Sequence, residues 1–191
     1  MSSDGSDAAL AQGLRDHSAE ACAELYKRFG TGLYWFILAQ LPGEVETAQD
    51  LLVETLADAV RDIRRFEARR SPLSAWLHGI ARRRVQMELH QRNRRKSIPL
   101  ARQVPIDAVR ESSDGEDLAA RTASRLDAQR TIAELAQALS NLEMATLVLS
   151  YVEEFSVREI GQIIGRSERA VDSILHRAKR KARERLGNYD D

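Results

Sequence analysis

Ser156–Leu186 reads SVREIGQIIGRSERAVDSILHRAKRKARERL, and this stretch decides the fold. Ser156 followed by Glu159 is a capping box, in which hydroxyl and carboxylate each satisfy an open backbone N–H at a helix start. Ile160, Ile163 and Ile164 follow at helical spacing and give that helix one apolar face. Gly161 is small enough to let a second helix come close, and Gly165 suits the left-handed conformation that ends a helix. Ser167 can cap the next helix, whose inner face is Val171, Ile174, Leu175, Ala178 and Ala182. Two short helices joined in this way form a helix-turn-helix, and the second is shaped for a DNA major groove. An αα-hairpin in an ordinary bundle has the same outline; the two glycines and the basic outer face favour DNA binding.

Working outward, the 191 residues suffice for one domain or two small ones. Four prolines and ten glycines, against abundant Ala, Leu, Arg and Glu, predict an all-α protein. No apolar run is long enough to cross a bilayer, so no membrane insertion is expected. The opening MSSDGSDAAL has neither a basic nor an apolar signal region, so no signal peptide is expected there. Cys22 is the lone cysteine, which excludes an internal disulfide and fits a reducing, cytoplasmic setting. His17, His78, His90 and His176 are scattered without a second ligand at metal spacing, so neither metal nor cofactor is expected. No Ser-His-Asp set, phosphate loop or carboxylate pair in a recognisable pattern points to an enzyme.

The formal net charge is zero, but its distribution is uneven. Between Arg61 and Lys96, twelve Arg or Lys stand against Asp62, Glu67 and Glu88. Between Arg166 and Leu186, eight stand against Glu168, Asp172 and Glu184. Two separate basic blocks suggest two contacts with a polyanion, since each neutralised phosphate releases counterions. Solvated helix faces are the alternative for any single arginine.

Periodicity divides the chain into a polar, disordered lead-in (1–16), a helical module (17–96), a flexible acidic linker (97–126) and a second helical module (127–191). In the first module Leu25, Phe29, Leu33, Phe36 and Ile37 make one stripe, ending before Leu41-Pro42-Gly43. A second stripe, from Ala48 to Phe66, predicts one continuous helix of about five turns. Ser71 and Pro72 then suit a cap and a first-turn proline. The third helix turns Leu73, Trp76, Leu77, Ile80, Ala81, Val85 and Leu89 inward and its arginines outward. Three such helices make a bundle. Beyond the linker, Ile132, Leu135 and Leu139 resume the pattern, and Asn141 can cap the helix that precedes the helix-turn-helix. The linker's composition implies that the modules can move relative to one another.

This ordered set resembles the extracytoplasmic-function group of bacterial sigma factors, in the sigma-70 family. The matching strings are Ala48-Gln-Asp-Leu-Leu-Val-Glu54, Trp76-Leu-His-Gly-Ile-Ala-Arg82, and Glu159-Ile-Gly161 with Val171 and Arg177-Ala178. They place a three-helix region 2 bundle before the linker and a four-helix region 4 unit after it. The resemblance implies a non-catalytic factor that directs core RNA polymerase to promoters and assists DNA melting. Its implied partners are the polymerase clamp helices and flap region, promoter DNA and an anti-sigma protein. Asp50, Leu51, Leu52 and Glu54 fall on the family's polymerase-docking helix, with core packing the alternative for Leu51 and Leu52. The loop from Glu67 to Ser74 and the helix after it match the elements that melt and read the −10 element. There Arg69, Arg70, Arg82, Arg83 and Arg84 would track phosphates, and Trp76 either stacks on a base or joins the core. In the C-terminal helix-turn-helix, Arg166, Ser167, Arg169, Ser173, Arg177 and Arg180 fall on the −35 reading face. Arg169 is the first candidate for a bidentate base contact, with Arg166, Arg177 and Arg180 as phosphate clamps.

The chain also departs from the family pattern. Val53 stands where Gln is usual, Arg83 where Asn is, and Met87 where Asp is. Asp172 and Ile174 occupy places that are commonly Lys and Arg. An Asp facing phosphate is repulsive, so promoter preference should differ from the usual one. Two other readings fit the residues: a helix-turn-helix regulator with a dimerising or sensing bundle, and a polymerase-binding decoy that does not open DNA.

Overall fold

A computed structural model describes residues 3–96 and 118–187, and every element in them is helical. Ser3–Arg15 forms a helix, α1, where a disordered lead-in was expected. Its reason is an apolar stripe hidden among polar residues: Leu10, Ala11 and Leu14 are buried against the next helix. His17 takes a left-handed φ of 56° after the helix end, and Ser18 caps α2 (Ala19–Leu38) by accepting from the Ala21 N–H at 3.2 Å. The three expected helices of the module are therefore joined by a fourth from the lead-in.

Gly43, with a φ of 82°, turns the chain into α3 (Val45–Asp62), which tightens into a 3-10 turn at Ile63–Arg65. The predicted single helix thus ends one turn early, in the tighter winding common at helix termini. Helical periodicity puts Ala48, Leu51, Leu52, Thr55 and Ala59 on its buried face. The fourth helix, α4 (Leu73–Lys96), buries Leu73, Leu77, Ile80, Ala81 and Val85, with Trp76 and Leu89 half-buried. Its first residue is tied from afar: the Leu73 N–H donates to Asp7 Oδ2 of α1 at 3.0 Å.

Residues 97–117 of the expected linker lie outside the described residues, but 118–126 belong to a helix, α5 (Leu118–Leu135). The next helix, α6 (Asn141–Tyr151), is capped by Ser140 and not by Asn141. Ser140 and Glu143 make a capping box, which leaves Asn141 free to donate to the Gln40 carbonyl at 2.8 Å. The helix-turn-helix forms as its sequence requires. Ser156 and Glu159 close the predicted box on α7 (Val157–Ile164), and Gly165 ends it at a φ of 66°. Ser167 caps α8 (Glu168–Leu186), whose Val171, Ile174, Leu175 and Ala178 are buried. A Cβ on Gly161 would stand 2.7 Å from the Arg166 carbonyl, so the small residue makes room for the turn itself.

The two modules lie against each other, α4 on α7 and α2 on α6. Specific bonds cross the seam. Arg82 donates to the Ile163 carbonyl at 3.0 Å, and Gln129 donates to the Tyr34 hydroxyl at 3.0 Å.

Candidate nucleic-acid interface

The exposed side of α8 carries Glu168, Arg169, Asp172, Ser173, His176, Arg177 and Arg180, with Arg166 and Ser167 in the turn before it. Arg166 and Arg169 have no ion pair among the described residues, so their guanidinium groups are open to a ligand. Arg177 reaches the edge of Glu143 at 4.0 Å, and Arg180 meets Glu184 at 3.8 Å in solvent. The Arg180 pair, exposed on both sides, is weak and easily exchanged for phosphate. The Ser173 hydroxyl donates back to the Arg169 carbonyl at 2.9 Å, leaving its lone pairs as acceptors. Glu143 is held beneath this face. Burial pushes its carboxyl up, but the Ser140 N–H and hydroxyl and the Lys181 ammonium at 2.9 Å outweigh that and hold it below the usual range.

The N-terminal basic block is arranged differently. Arg84 lies between Asp58 at 2.5 Å and Glu54 at 2.9 Å, with a quarter of its side chain exposed. The Arg84 hydrogen bond holds the Asp58 carboxyl below its ordinary value, and Arg61 adds to it. Arg92 is clamped by Glu44 and by Glu88 at 2.6 Å, and Arg70 pairs with Glu67 at 2.8 Å. Among the residues expected to track −10 phosphates, Arg84 is thus a structural ion and Arg82 is engaged on the α7 C-terminus. The reason is the partners' position on α3 and α7, which lie far away in the chain. Arg69 and Arg83 are exposed without an ion pair among the described residues. Trp76 is half-buried, its ring tilted 5.5 Å from that of Phe66, as a core residue would be.

On α3, Leu51 and Leu52 are 6% and 7% exposed, which removes them from the expected docking surface and assigns them to the core. Asp50 and Glu54 are exposed on the opposite side, and Val53 lies between them at 61% exposure. Val53, Arg83, Met87 and Asp172 all lie on the surface, so these departures alter contact faces and leave the folds intact. Ile174 is 6% exposed and belongs to the core.

Sequence reasoning missed the seam. His78 of α4 is fully buried between the rings of Phe36 and Phe155, at 5.1 and 5.2 Å. Its Nδ1 bonds the Ser74 carbonyl at 2.9 Å, which assigns the proton there. Nε2 has no hydrogen-bond partner among the described residues and faces the Glu153 carboxylate at 3.6 Å. Burial lowers the imidazole to about 4 and raises the Glu153 carboxyl. Gly32 makes the pocket possible, since a Cβ there would overlap the Glu153 carboxylate. The signal available was an isolated His on an apolar stripe. Among the described residues no cluster of His, Cys, Asp or Glu could hold a metal ion, and no helix is long and apolar enough to cross a membrane.

The fold and its faces define a two-module helical protein with a C-terminal helix-turn-helix. Residues 25–95 match sigma-70 region 2, and residues 129–181 match sigma-70, region 4. The chain is 30% identical over 178 residues to the RNA polymerase sigma factor CarQ of Myxococcus xanthus, spanning 93% of this chain and 95% of CarQ. It is 27% identical over 163 residues to the ECF RNA polymerase sigma factor BldN of Streptomyces coelicolor. That match spans 85% of this chain and 59% of BldN. The chain belongs to the sigma-70 family of RNA polymerase sigma factors and is homologous to its ECF members. Solved structures show the same fold. One is CnrH in complex with the cytosolic domain of CnrY, at 20% identity and a TM-score of 0.64, covering 97% of this chain and 99% of the other. Another is the sigma factor RpoE in complex with the anti-sigma factor NepR from Bartonella quintana. It has 24% identity and a TM-score of 0.65, covering 88% of this chain and 97% of that one.

Proposed function

We propose that this chain binds core RNA polymerase in the cytoplasm, selects promoters with two separated elements, and assists strand opening without catalysing a reaction itself. The observation that carries the reading is the α8 face, where Arg166, Arg169, Ser173, Arg177 and Arg180 are all exposed over a buried apolar side. Arg169, in the first turn of α8, is the base-reading candidate at the −35 element, and the other arginines set register on phosphate. The loop 67–72 with Arg69, Arg70 and Arg83 serves the −10 element, where melted bases are exposed. Asp50, Val53 and Glu54 form the polymerase-docking patch: an apolar centre with acidic flanks suits a helical partner with a basic rim.

On this reading the modules, joined where α4 rests on α7, part on polymerase so that two elements separated along a promoter are both reached. An anti-sigma partner has a site available in the closed form. A groove of about 1300 Å³ runs between α2 and the C-terminal module, lined by Tyr26, Trp35, Ile132, Leu135, Val148 and Tyr151. An amphipathic helix is the occupant such an apolar cleft suits.

The test is transcription in vitro by purified core polymerase on a library of promoter sequences. Initiation that depends on this chain and on a defined two-element motif is expected. Tight binding to core with no initiation on any template would overturn the reading in favour of a decoy.

A further inference from the structure

We propose that α1 is a brace for the loop that enters the −10 element, with Asp7 and Arg15 as positioning residues at the loop's two ends. This rests on the reading that residues 67–72 serve that element. At one end, Arg15 Nη2 donates to the Phe66 carbonyl at 3.2 Å. At the other, Asp7 Oδ2 accepts from the Leu73 N–H at 3.0 Å. Both tethers leave the same helix two turns apart, roughly 12 Å along its axis.

The brace is itself anchored. Leu10, Ala11 and Leu14 are buried, and α1 packs on α2 and on the 3-10 turn that precedes the loop. Asp7 is 5% exposed, and its second oxygen accepts from Arg28 Nη2 at 2.8 Å, while Arg28 also donates to Ser6 at 3.1 Å. A carboxylate at the N-terminus of α4 satisfies one open N–H there and meets the positive end of the helix dipole. Pro72, just before, offers no N–H of its own. With both ends fixed, Arg69 and Arg70 are presented from a loop whose closure entropy is lost on folding and not on meeting DNA. Asp7 and Arg15 thus act through the loop and need not touch the promoter.

The experiment uses full-length chain with core polymerase on a promoter that the wild type opens. It reads permanganate reactivity of −10 thymines, discrimination between cognate and singly substituted −10 and −35 elements, affinity for core, and melting temperature. Asp7→Ala and Arg15→Ala should each slow opening about fivefold to tenfold, the scale of one lost cap or tether. They should also relax discrimination at −10 while leaving −35 discrimination and affinity for core within about twofold. Asp7→Asn keeps an acceptor for the Leu73 N–H and should recover most of the opening rate. Unchanged opening and −10 discrimination in both alanine variants would overturn the brace alone. Equal losses in core affinity, −35 choice and melting temperature would overturn it in favour of a general folding role. Failure of the wild type to open any template would overturn the sigma reading, and the brace with it.

Discussion

The N-terminal module and the C-terminal helix-turn-helix each carry a dense basic block, yet the two blocks are used in different ways. On α8 and the turn before it the arginines of the outer face are exposed, and Arg166 and Arg169 have no ion pair among the described residues. In the N-terminal block Arg84 and Arg92 are each shared between two carboxylates, and Arg82 is held on the α7 C-terminus. Equal charge density along the sequence therefore does not mean equal charge offered to DNA. A paired guanidinium holds helices together; an unpaired one is available to phosphate or a base edge.

The seam between the modules is where the contrast breaks with the largest effect. His78 is neutral in the closed state because burial holds it at about 4, against an ordinary value of 6.5. A group so depressed leaves stability untouched above pH 6.5. Its cost grows as pH falls, because the opened or unfolded protein takes up a proton that the closed one refuses. The full cost, reached below pH 4, is roughly 3 kcal/mol. Glu153, raised by burial, opposes this by accepting a proton in the closed state on acidification. Glu153→Gln should therefore expose the whole histidine effect. In that variant, melting temperature and the distance between labels on α3 and α8 should report opening between pH 6.5 and 4. A flat profile over this window would show that His78 is not shielded by the seam.

Next in size is Arg84→Ala, which leaves the nearly buried Asp58 carboxylate with Arg61 alone. It should cost about 2 kcal/mol in urea unfolding, whereas Arg83→Ala, one residue away and exposed, should stay within about 0.5 kcal/mol. Equal costs would erase the distinction between paired and open arginines. Arg169→Ala should show the reverse behaviour: an unchanged melting temperature, with choice relaxed at one or two −35 positions worth about 1–3 kcal/mol each. A uniform loss across all sequences would make it a phosphate clamp. The smallest effect is expected from Asp172→Ala, which removes a repulsive charge from the reading face. It should tighten −35 duplex binding by about twofold to fivefold at low salt and by less at high salt.

Much of the C-terminal motif was legible because its determinants are close in the chain. Ser156 with Glu159, the left-handed Gly165 and the Ser167 cap all act within about four residues, and each formed as its spacing required. The cap of α6 was misplaced by one residue, since Ser140 and Glu143 make the box while Asn141 turns to Gln40. The lead-in was misread because Leu10, Ala11 and Leu14 are few among polar neighbours, and α2 supplies the surface that orders them. In α3 the acidic and aliphatic residues of one string separated by face, Asp50 and Glu54 outward and Leu51 and Leu52 inward.

The sequence by itself determined the helices with a strong apolar stripe, both caps and the turn of the C-terminal helix-turn-helix, and the family, all of which follow from residues a few positions apart. Tertiary structure alone decided which charges remain available. Arg84 finds Asp58 26 residues away, Arg92 finds Glu44 48 residues away, and Arg82 finds Ile163 81 residues away. Helical periodicity states which way a side chain points. Whether a carboxylate or a carbonyl waits there depends on helices that meet only when the chain has folded.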